Sequence, residues 1–390
     1  MGKLAFVLVF SGLALTANAQ TERGFAWYDS ATYRLWAGQH WDELIALGRE
    51  SLMLGHDSYY LRMRLGIALY ENEKYVQAIR QFREALQFDE GSADASQLMH
   101  YSLLYLGREM EAAAFYRVEG QKSRLFHSVY FEPGVKLSDN RAYTRDVRYI
   151  YAGLRHEFGH RLSLSHGYQR LSAGFAQLVT GGAGPGPGGG TREVTYIVRQ
   201  DEYYTSPTLL ISRGFYLSPS LHFQGISGAF GTGKNLLLGL QTAVLTGRFR
   251  FYGGGSVSEI NGLNQTQFEG GLVYYPLGNL NLYFQPQITR HEEDGVVNWV
   301  YYQKAGFRAA KGTWLEVFGS LGNMLNFAEQ NGWLVFNQPD TITSRLGLGL
   351  IQMLGTQKLY VVYTAENKEE YLTGTPFMHH LISVGIQINL

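Results

Sequence analysis

The last nine residues of the chain alternate between large aliphatic side chains and small or polar ones. A period of two places each set on its own face of a β-strand. A strand of this kind suits a soluble β-sandwich or, more typically, a transmembrane barrel with lipid on one side and a polar lumen on the other. The aliphatic set, which we predict to form the outer face of a barrel-closing strand, is Ile382, Val384, Ile386, Ile388 and Leu390.

The first twenty residues predict a cleaved secretory signal peptide. Lys3 supplies the positive charge, Leu4–Leu15 the apolar run, and Ala17 and Ala19 the small-residue cleavage site. An amino-terminal membrane anchor is the alternative, but the run is too short to span a bilayer comfortably. No cysteine lies near the site, so a lipoprotein signal is excluded.

The composition excludes several classes of function. The chain has no cysteine, which removes disulfides, thiol catalysis and cysteine-based metal sites. Its 33 basic and 33 acidic residues leave no excess charge for nucleic acid. After the signal, no apolar run is long enough for a membrane helix, so a membrane location requires a closed barrel. We expect no cofactor, no metal and no nucleic-acid partner.

Proline and glycine divide the chain into two parts. All nine prolines lie at Pro133 or later, whereas residues 21–120 contain no proline and only eight glycines. The first part therefore suits helices, and the remainder, rich in Gly, Tyr, Phe and Thr, suits strands and tight turns. We predict a signal peptide over 1–20, helical repeats over 21–120 and a β-barrel over 121–390, with the domain boundary near 119–123.

The helical part carries a tetratricopeptide pattern with a period of 34 residues. Its central frame begins at Tyr59, and weaker frames begin 34 residues earlier, at Phe25, and 34 residues later, at Ala93. In this pattern, small residues lie where paired helices touch and large ones fill the gap to the next repeat. The predicted packing residues of the central frame are Leu65, Gly66, Tyr75, Ala78, Phe82 and Ala85.

Two roles remain open for these repeats. Stacked repeats form a concave surface that can dock a peptide or a partner protein. Alternatively, the repeats are a spacer, or a cap beneath the next domain.

The strand-rich part predicts fourteen strands, with twelve or sixteen as alternatives, joined by alternating long and short connections. Bacterial outer-membrane barrels have an even strand number, short periplasmic turns and longer external loops. That pattern places both the tight turns and the repeats in the periplasm. The predicted strands cover 126–137, 144–157, 161–174, 192–204, 208–226, 235–245, 248–259, 266–275, 280–290, 297–309, 313–323, 341–353, 358–366 and 376–390.

Along these strands, charged residues occupy the alternate positions to the aliphatic ones, which predicts that they face the lumen. They either neutralise one another inside a packed barrel or line a path for a polar or anionic solute. Pro286, in the middle of a strand, predicts a β-bulge. The candidate lumen-lining residues are Arg248, Arg250, Lys304, Arg308, Glu316 and Arg345.

Three motifs give weak indications of chemistry. Residues 228–235 nearly spell a phosphate-binding loop, but the final Ser or Thr is missing and a strand follows instead of a helix. His379 and His380 point to opposite faces of a strand and cannot share a metal. A barrel hydrolase would need a nucleophile and a base at one level, and we expect no enzyme. The nearest collection for such a site is His156, His160, Ser163, Ser165 and His166.

The order of signal peptide, a few repeats and a Gly/Tyr-rich barrel resembles the YaiO-like outer-membrane proteins. The residues carrying the resemblance are those of the central repeat, from Leu65 to Ala85, and the strand patterning. The organisation is more distantly similar to the surface lipoprotein assembly modulators and to the exopolysaccharide export porins. The resemblance implies periplasmic repeats below an outer-membrane barrel, and it carries over no functional residues.

These observations predict an integral outer-membrane barrel of a Gram-negative bacterium. Its lipid partner is the outer membrane, and its repeats recruit a periplasmic or outer-membrane protein. We expect it to act in export or assembly of an envelope component, either a polysaccharide or a surface protein. A non-conducting scaffold is the first alternative, and a lipid-modifying barrel enzyme is the second.

Overall fold

The computed structural model describes residues 23–115, 125–180, 191–228 and 231–390. The predicted signal peptide, the predicted domain boundary near 119–123 and the Gly/Pro-rich stretch 181–190 lie outside these residues, as does part of the phosphate-loop-like motif. Of the helices within the described residues, none is both long and apolar enough to cross a membrane.

The amino-terminal part folds into three helix pairs that repeat at the predicted period. The first helices of the pairs begin at Phe25, Tyr59 and Ala93, which are 34 residues apart (59 − 25 and 93 − 59). The helices are α1 (Phe25–Ala37), α2 (Trp41–Met53), α3 (Tyr59–Glu71), α4 (Tyr75–Phe88), α5 (Ala93–Leu104) and α6 (Glu109–Ala112).

Residues at equivalent positions of the repeats have the same structural roles, as helix caps and as turn residues. Ser58 and Ser92 cap α3 and α5, where their hydroxyls accept hydrogen bonds from Leu61 N and Ala95 N at 3.3 and 3.2 Å. Such caps satisfy backbone donors that a helix start leaves unpaired. The turn within each pair uses one residue with positive φ, namely Gln39 (57°), Glu73 (54°) and Gly107 (68°).

The helix pairs enclose a common apolar core. The predicted packing residues lie in it: Ala78, Phe82 and Ala85 are fully buried, and Leu65 and Tyr75 nearly so. At Gly66, the Phe82 ring occupies the space that a side chain would need. A Cβ added at Gly66 would lie 2.4 Å from Phe82 Cε1.

The carboxyl-terminal part is a closed antiparallel barrel of fourteen strands, counted over the described residues, together with a separate two-stranded hairpin. The barrel strands are β1 (Phe126–Ser138), β2 (Thr144–Phe158), β3 (Leu162–Thr180), β4 (Thr191–Ser212), β5 (Phe215–Gly228), β6 (Gly231–Thr246), β7 (Phe249–Ile260), β8 (Leu263–Tyr274), β9 (Leu282–Glu293), β10 (Val296–Ala310), β11 (Thr313–Leu321), β14 (Thr341–Leu354), β15 (Gln357–Glu369) and β16 (Pro376–Asn389); the hairpin consists of β12 (Phe327–Glu329) and β13 (Leu334–Phe336).

The barrel closes between its first and last strands, as predicted. β16 pairs with β1 in a register running from Ser128↔Asn389 to Ser138↔His379. Because the closure leaves no free strand edge, every strand pairs with a neighbour on both sides, which is the condition for crossing a bilayer.

The barrel is apolar outside and polar inside, the reverse of a soluble protein. Aliphatic side chains on alternate strand positions, such as Leu238, Leu348 and Val384, are 48, 53 and 44% exposed on the outer face. Polar side chains such as Gln224 and Glu366 are buried on the inner face. Exposed apolar surface on this scale requires a nonaqueous neighbour, so the wall is that of a membrane-spanning barrel.

Two expectations about connections were wrong. The turn between β4 and β5 lies at 213–214, not at 205–207, because β4 continues through Pro207, which pairs with Leu164. The expected long loops after β7 and β9 are two-residue turns, in which Asn261, Gly262, Asp294 and Gly295 all have positive φ. Asn-Gly and Asp-Gly favour this hairpin geometry.

The expected bulge at Pro286 is absent from the described ladders. Pro286 pairs with Gln303 of β10 in an unbroken register. On the β8 side of the strand, Gly271↔Gln287 and Tyr274↔Phe284 belong to one register, but the residues of β8 and β9 between these two pairs do not pair with each other. The ladder is therefore interrupted beside the proline, and the strand needs no extra residue.

Candidate functional site

The connection between β11 and β14 folds into the barrel and does not extend away from it as a loop. We call residues 327–336 the inner hairpin. Met324, Phe327 and Phe336 are buried against Val300 and Ile342 of the wall. The tip reverses direction at Gln330, Asn331 and Gly332, which all have positive φ. An apolar base thus holds a polar tip inside the lumen.

The tip of the inner hairpin places an aromatic ring between two tyrosine side chains of the wall. The Trp333 ring makes edge-to-face contacts with Tyr151 and Tyr204, at centroid distances of 4.6 and 5.0 Å. Beside it, His222 Nδ1 lies 2.7 Å from Gly332 O, and His222 Nε2 lies 2.9 Å from Glu202. These contacts fix the tip against β2, β4 and β5.

Amide side chains of the wall hold the rest of the inner hairpin. Gln267 both donates to Ala328 O (3.0 Å) and accepts from Ala328 N (2.8 Å), as a strand neighbour would. Further along the chain, Asn337 donates to Gln200 at 2.7 Å. Buried polar groups that are satisfied in this way specify one arrangement of the loop.

A network of buried charges joins the inner hairpin to β1, β14 and β15. Arg345 donates to Glu329 of the hairpin at 2.8 Å and lies 3.7 Å from Glu366. Lys136 completes the network with a 2.9 Å contact to Glu366. Removal of one partner from such a group leaves an uncompensated charge, which typically costs about 3–5 kcal/mol.

Two cavities of about 290 and 240 Å³ lie in the lumen, and the inner hairpin borders both of them through Glu329 and Gln330. The larger is lined by Tyr149, Tyr151, Tyr302, Trp333, Glu132 and Glu202, among others. The smaller is lined by Gln241, Tyr252, Gln285, Gln287, Tyr302 and Arg250, among others. The interior is therefore divided, aromatic and rich in hydrogen-bonding groups.

Four of the six predicted lumen-lining residues border these cavities, and two do not. Arg250, Lys304, Glu316 and Arg345 line one or both cavities. Lys304 is paired with Glu316 at 3.4 Å, which fits the neutralising role considered from the sequence. Arg308 lies at the mouth and contacts Glu73, in the turn between α3 and α4, at 3.2 Å. The placement of Arg248 was wrong, because it lies in the turn before β7 and donates to Pro276 O.

The helices contact the tight-turn end of the barrel, and Glu73 is the centre of one contact. Its backbone O accepts from Asn279 at 3.2 Å, and its carboxylate accepts from Asn281 at 2.5 Å and from Arg308 at 3.2 Å. Glu73 is the positive-φ residue between α3 and α4. The turn of the central repeat therefore docks on β10 and on the connection before β9.

A second contact joins the last helix to the opposite part of the rim. Tyr216 of β5 donates to Glu111 at 2.8 Å, and Arg155 of β2 lies 2.8 Å from Glu109. Burial, with Arg213 and Arg108 close by, lowers the pKa of Arg83 on α4. The helices thus reach strands on both sides of the opening and cover it as a cap.

The residues considered for catalysis do not converge. Ser163 is buried inside the barrel against Met110 of α6. His156 and His166 contact each other at 3.0 Å, and alternation along β2 and β3 places them on the outer face. His379 is likewise buried inward, whereas His380 contacts Tyr363 on the outer face.

One group of metal-type ligands lies at the junction of helix and barrel. Glu109, His127 and Glu157 place one ligand atom each within 4.8 Å of one another. Arg155 contacts both carboxylates, at 2.8 and 3.2 Å. The guanidinium therefore already supplies the positive charge that a metal would bring.

Comparison with known proteins gives likenesses in fold only. No protein-family model and no curated protein matches the chain. The P. putida toluene transporter TodX is similar over 68% of this chain and 90% of its own, at 8% identity and a TM-score of 0.44. A bacterial polysaccharide outer membrane secretin is similar over 68% of this chain and 99% of its own, at 9% identity and a TM-score of 0.39.

The helical part has a separate likeness. MamA of AMB-1 is similar over 25% of this chain, at 21% identity and a TM-score of 0.23. This chain spans 57% of the MamA chain. None of these likenesses assigns the chain to a family.

Proposed function

We propose that the protein is an outer-membrane export barrel that passes a hydroxyl-rich envelope component, a saccharide chain, through a lumen gated by the inner hairpin. The observation that carries this proposal is the lining of the two cavities. Rings of Tyr149, Tyr151, Tyr302 and Trp333 lie beside carboxylates and amides. Sugars present apolar C–H faces and hydroxyl rims, which match aromatic rings and hydrogen-bonding side chains respectively.

The proposed orientation places the helices in the periplasm. The helices cover the end of the barrel where most connections are two or three residues long, which is the periplasmic end in outer-membrane barrels. A cap at that end would receive the cargo before the lumen does.

The repeats are proposed to recruit a partner protein through α1 and α3. Tyr33 and Tyr60 are 52 and 65% exposed on these helices. Arg64, held by Asp29 at 2.7 Å, lies over both rings at 5.4 and 5.9 Å. Exposed aromatics beside arginine are typical of residues that dominate protein interfaces.

Single-channel recording in planar bilayers tests the export proposal. β11 and β14 are direct neighbours, so a short Gly-Ser segment can replace residues 327–336. We expect low conductance from the wild-type protein and a larger, steady conductance from this variant. An oligosaccharide added to the chamber should block the larger current. If neither form conducts after correct folding is verified by heat-modifiable gel mobility, the export proposal fails.

Co-purification in mild detergent tests the recruitment proposal. A Tyr33→Ala/Tyr60→Ala variant should lose a protein that accompanies the wild-type protein. The matched control is Phe88→Ala, an exposed aromatic on α4. Equal recovery of the partner with all three proteins would contradict recruitment through α1 and α3.

A non-conducting scaffold is the second candidate. It is favoured by the two obstructions along the axis, the inner hairpin and the helical cap, which are both held by ion pairs. A barrel that stays closed after both obstructions are loosened would support this role.

A further inference from the structure

A row of cations crosses the outer face of β2 to β6 on the side away from the helices. Its members are Arg148 on β2, Arg170 on β3, Arg199 on β4 and Lys234 on β6, and all four are exposed. Strand registers connect them: Arg148 and Arg199 both pair with Ser172, while Arg170 pairs with Asp201, which continues through Gly225 to Lys234. We call these four residues the cationic row.

The cationic row lies at one depth relative to the membrane. On β6, six outward residues lead from the tight-turn end to Lys234, namely Thr246, Val244, Thr242, Leu240, Leu238 and Leu236. On β2 and β4, five uncharged outward positions precede the first charged one, which is Arg148 on β2 and Asp201 on β4, and on β3 four precede Arg170. Four to six outward positions correspond to about 8–12 residues, which brackets the roughly 9–11 residues of a transmembrane strand. The row therefore sits where hydrocarbon gives way to headgroups.

Two tyrosines mark the same boundary. Tyr168 and Tyr203 are direct partners on β3 and β4, and they are 43 and 42% exposed. Tyrosine is enriched at membrane interfaces, where its ring lies in the apolar region and its hydroxyl reaches the headgroups. Tyr168 donates to Asp201, which also accepts from Arg170 at 2.7 Å. These contacts orient the arginine along the wall.

The charge of the row is only partly compensated. The four cations and Asp201 together carry a formal charge of +3 (4 − 1); beyond them, Asp146 on β2 lies 3.8 Å from Arg141, and Glu259 on β7 pairs with Leu236, two residues from Lys234. On β7, the position after five uncharged outward residues is Glu259, so the cationic surface ends there. A groove of about 520 Å³ opens within the row between Asp201 and Lys234, where Gly225 and Gly233 carry no side chains and Ser227 and Thr232 supply hydroxyls.

We propose that this surface binds the headgroup of a membrane lipid that carries more than one phosphate, in the leaflet away from the helices. Phosphates would pair with the cationic row, the headgroup would enter the groove, and the acyl chains would lie along the apolar wall below. Arginine suits phosphate because its guanidinium can donate two parallel hydrogen bonds. The proposal depends on the barrel spanning a membrane, and it is independent of whether the lumen conducts.

Lipid titration followed by native mass spectrometry tests the proposal on the full-length protein in detergent. The probe is lipid A, which carries two phosphates, and phosphatidylethanolamine is the control lipid. Loss of three cations in Arg170→Ala/Arg199→Ala/Lys234→Ala should weaken lipid A binding roughly 100-fold, since each cation near an anionic headgroup contributes a factor of about 5. Binding of phosphatidylethanolamine should be unchanged.

The matched control removes three exposed cations from the opposite rim, in Arg161→Ala/Arg213→Ala/Lys311→Ala. This variant should bind lipid A as the wild-type protein does. Equal weakening by both triple variants, or no weakening by the first, would overturn the proposal. Heat-modifiable gel mobility verifies that each variant is folded, and a single Arg199→Ala variant with an intermediate loss provides a milder test.

Discussion

At the scale of the residue, the repeat pattern was informative because packing at Gly66 allows few alternatives. The Phe82 ring fills the place where a side chain at Gly66 would be, and both positions could be read from the sequence because the pattern pairs a small residue with a large one. The contact therefore determines how much stability is lost when a larger residue replaces Gly66.

Gly66→Ala should destabilise the helical part by about 1–3 kcal/mol, because the added methyl overlaps a ring that has no free space to enter. Helix unfolding followed by circular dichroism measures the effect. Gly91→Ala is the control, since its nearest neighbour is Asp89 Oδ1 at 3.5 Å. If the two variants melt alike, the packing described for Gly66 is wrong.

Glu73 combines an unfavourable backbone conformation with three contacts to the barrel. The equivalent positions of the other repeats hold Gln39 and Gly107. No sequence pattern identified Glu73 as a docking residue, because its partners Asn279, Asn281 and Arg308 lie more than 200 residues away.

Glu73→Gly should relieve a left-handed conformation that costs about 1–2 kcal/mol, yet release the central repeat from the barrel. Gln39→Gly should remove the same backbone strain without detaching the helices from the barrel. Two spin labels report docking, at Asp89→Cys and Lys311→Cys, which the cysteine-free chain permits. An unchanged label distance in Glu73→Gly would show that its contacts do not hold the helices in place.

At the scale of the element, strand alternation was a reliable signal, whereas connections were not. The inner hairpin was treated as a loop because its two strands have three residues each and carry no detectable period. The available signal was the apolar residues of the hairpin, Phe327, Trp333, Val335 and Phe336, together with Met324 just before it, since a solvated loop has no reason to hold so many. Their partners inside the lumen could not be read from one chain.

The closing strand provides a test of its two faces. Val384→Arg should impair assembly, because the side chain is 44% exposed on the outer wall and arginine at the bilayer midplane costs about 2–4 kcal/mol. Gln387→Arg should be tolerated, since alternation places it inside, where it donates to Asn389 at 2.9 Å. Urea unfolding in lipid vesicles measures both, and equal tolerance would show that the faces are assigned wrongly.

Trp333→Ala should loosen the tip of the inner hairpin. Each edge-to-face contact, with Tyr151 and with Tyr204, contributes about 0.5–1.5 kcal/mol. Single-channel records should show more frequent openings. Trp299→Ala, which removes an exposed tryptophan, should leave them as in the wild-type protein. Identical records for all three proteins would mean that the tip does not control the opening.

At the scale of the whole molecule, the sequence predicted the order of parts, the strand number and the closure, because each depends on local period or composition. The cap over the barrel depends on polar contacts between distant segments, and it was one of two roles left open. The contact between Glu73 and Arg308 is partly exposed, so its strength depends on salt.

Exchange of these two charges tests the cap. Glu73→Arg alone should detach the helices, because it places two cations together, whereas Glu73→Arg/Arg308→Glu should restore part of the docking. The coupling energy is expected to be about 0.2–1 kcal/mol, as for other exposed pairs. The spin-label distance measures the docked fraction. No recovery in the double variant would indicate that this ion pair is not part of the cap.

The pairing of β1 with β16 also determines when the barrel can close during folding. Ser128 and Asn389 are partners although 261 residues separate them (389 − 128). Contacts at such separation form slowly, because the intervening chain loses much conformational freedom before the contact compensates for it. The helix pairs contact only near neighbours and can form early. We therefore expect the helical cap to form before the barrel closes, so that the strands at its rim assemble against a surface that is already folded.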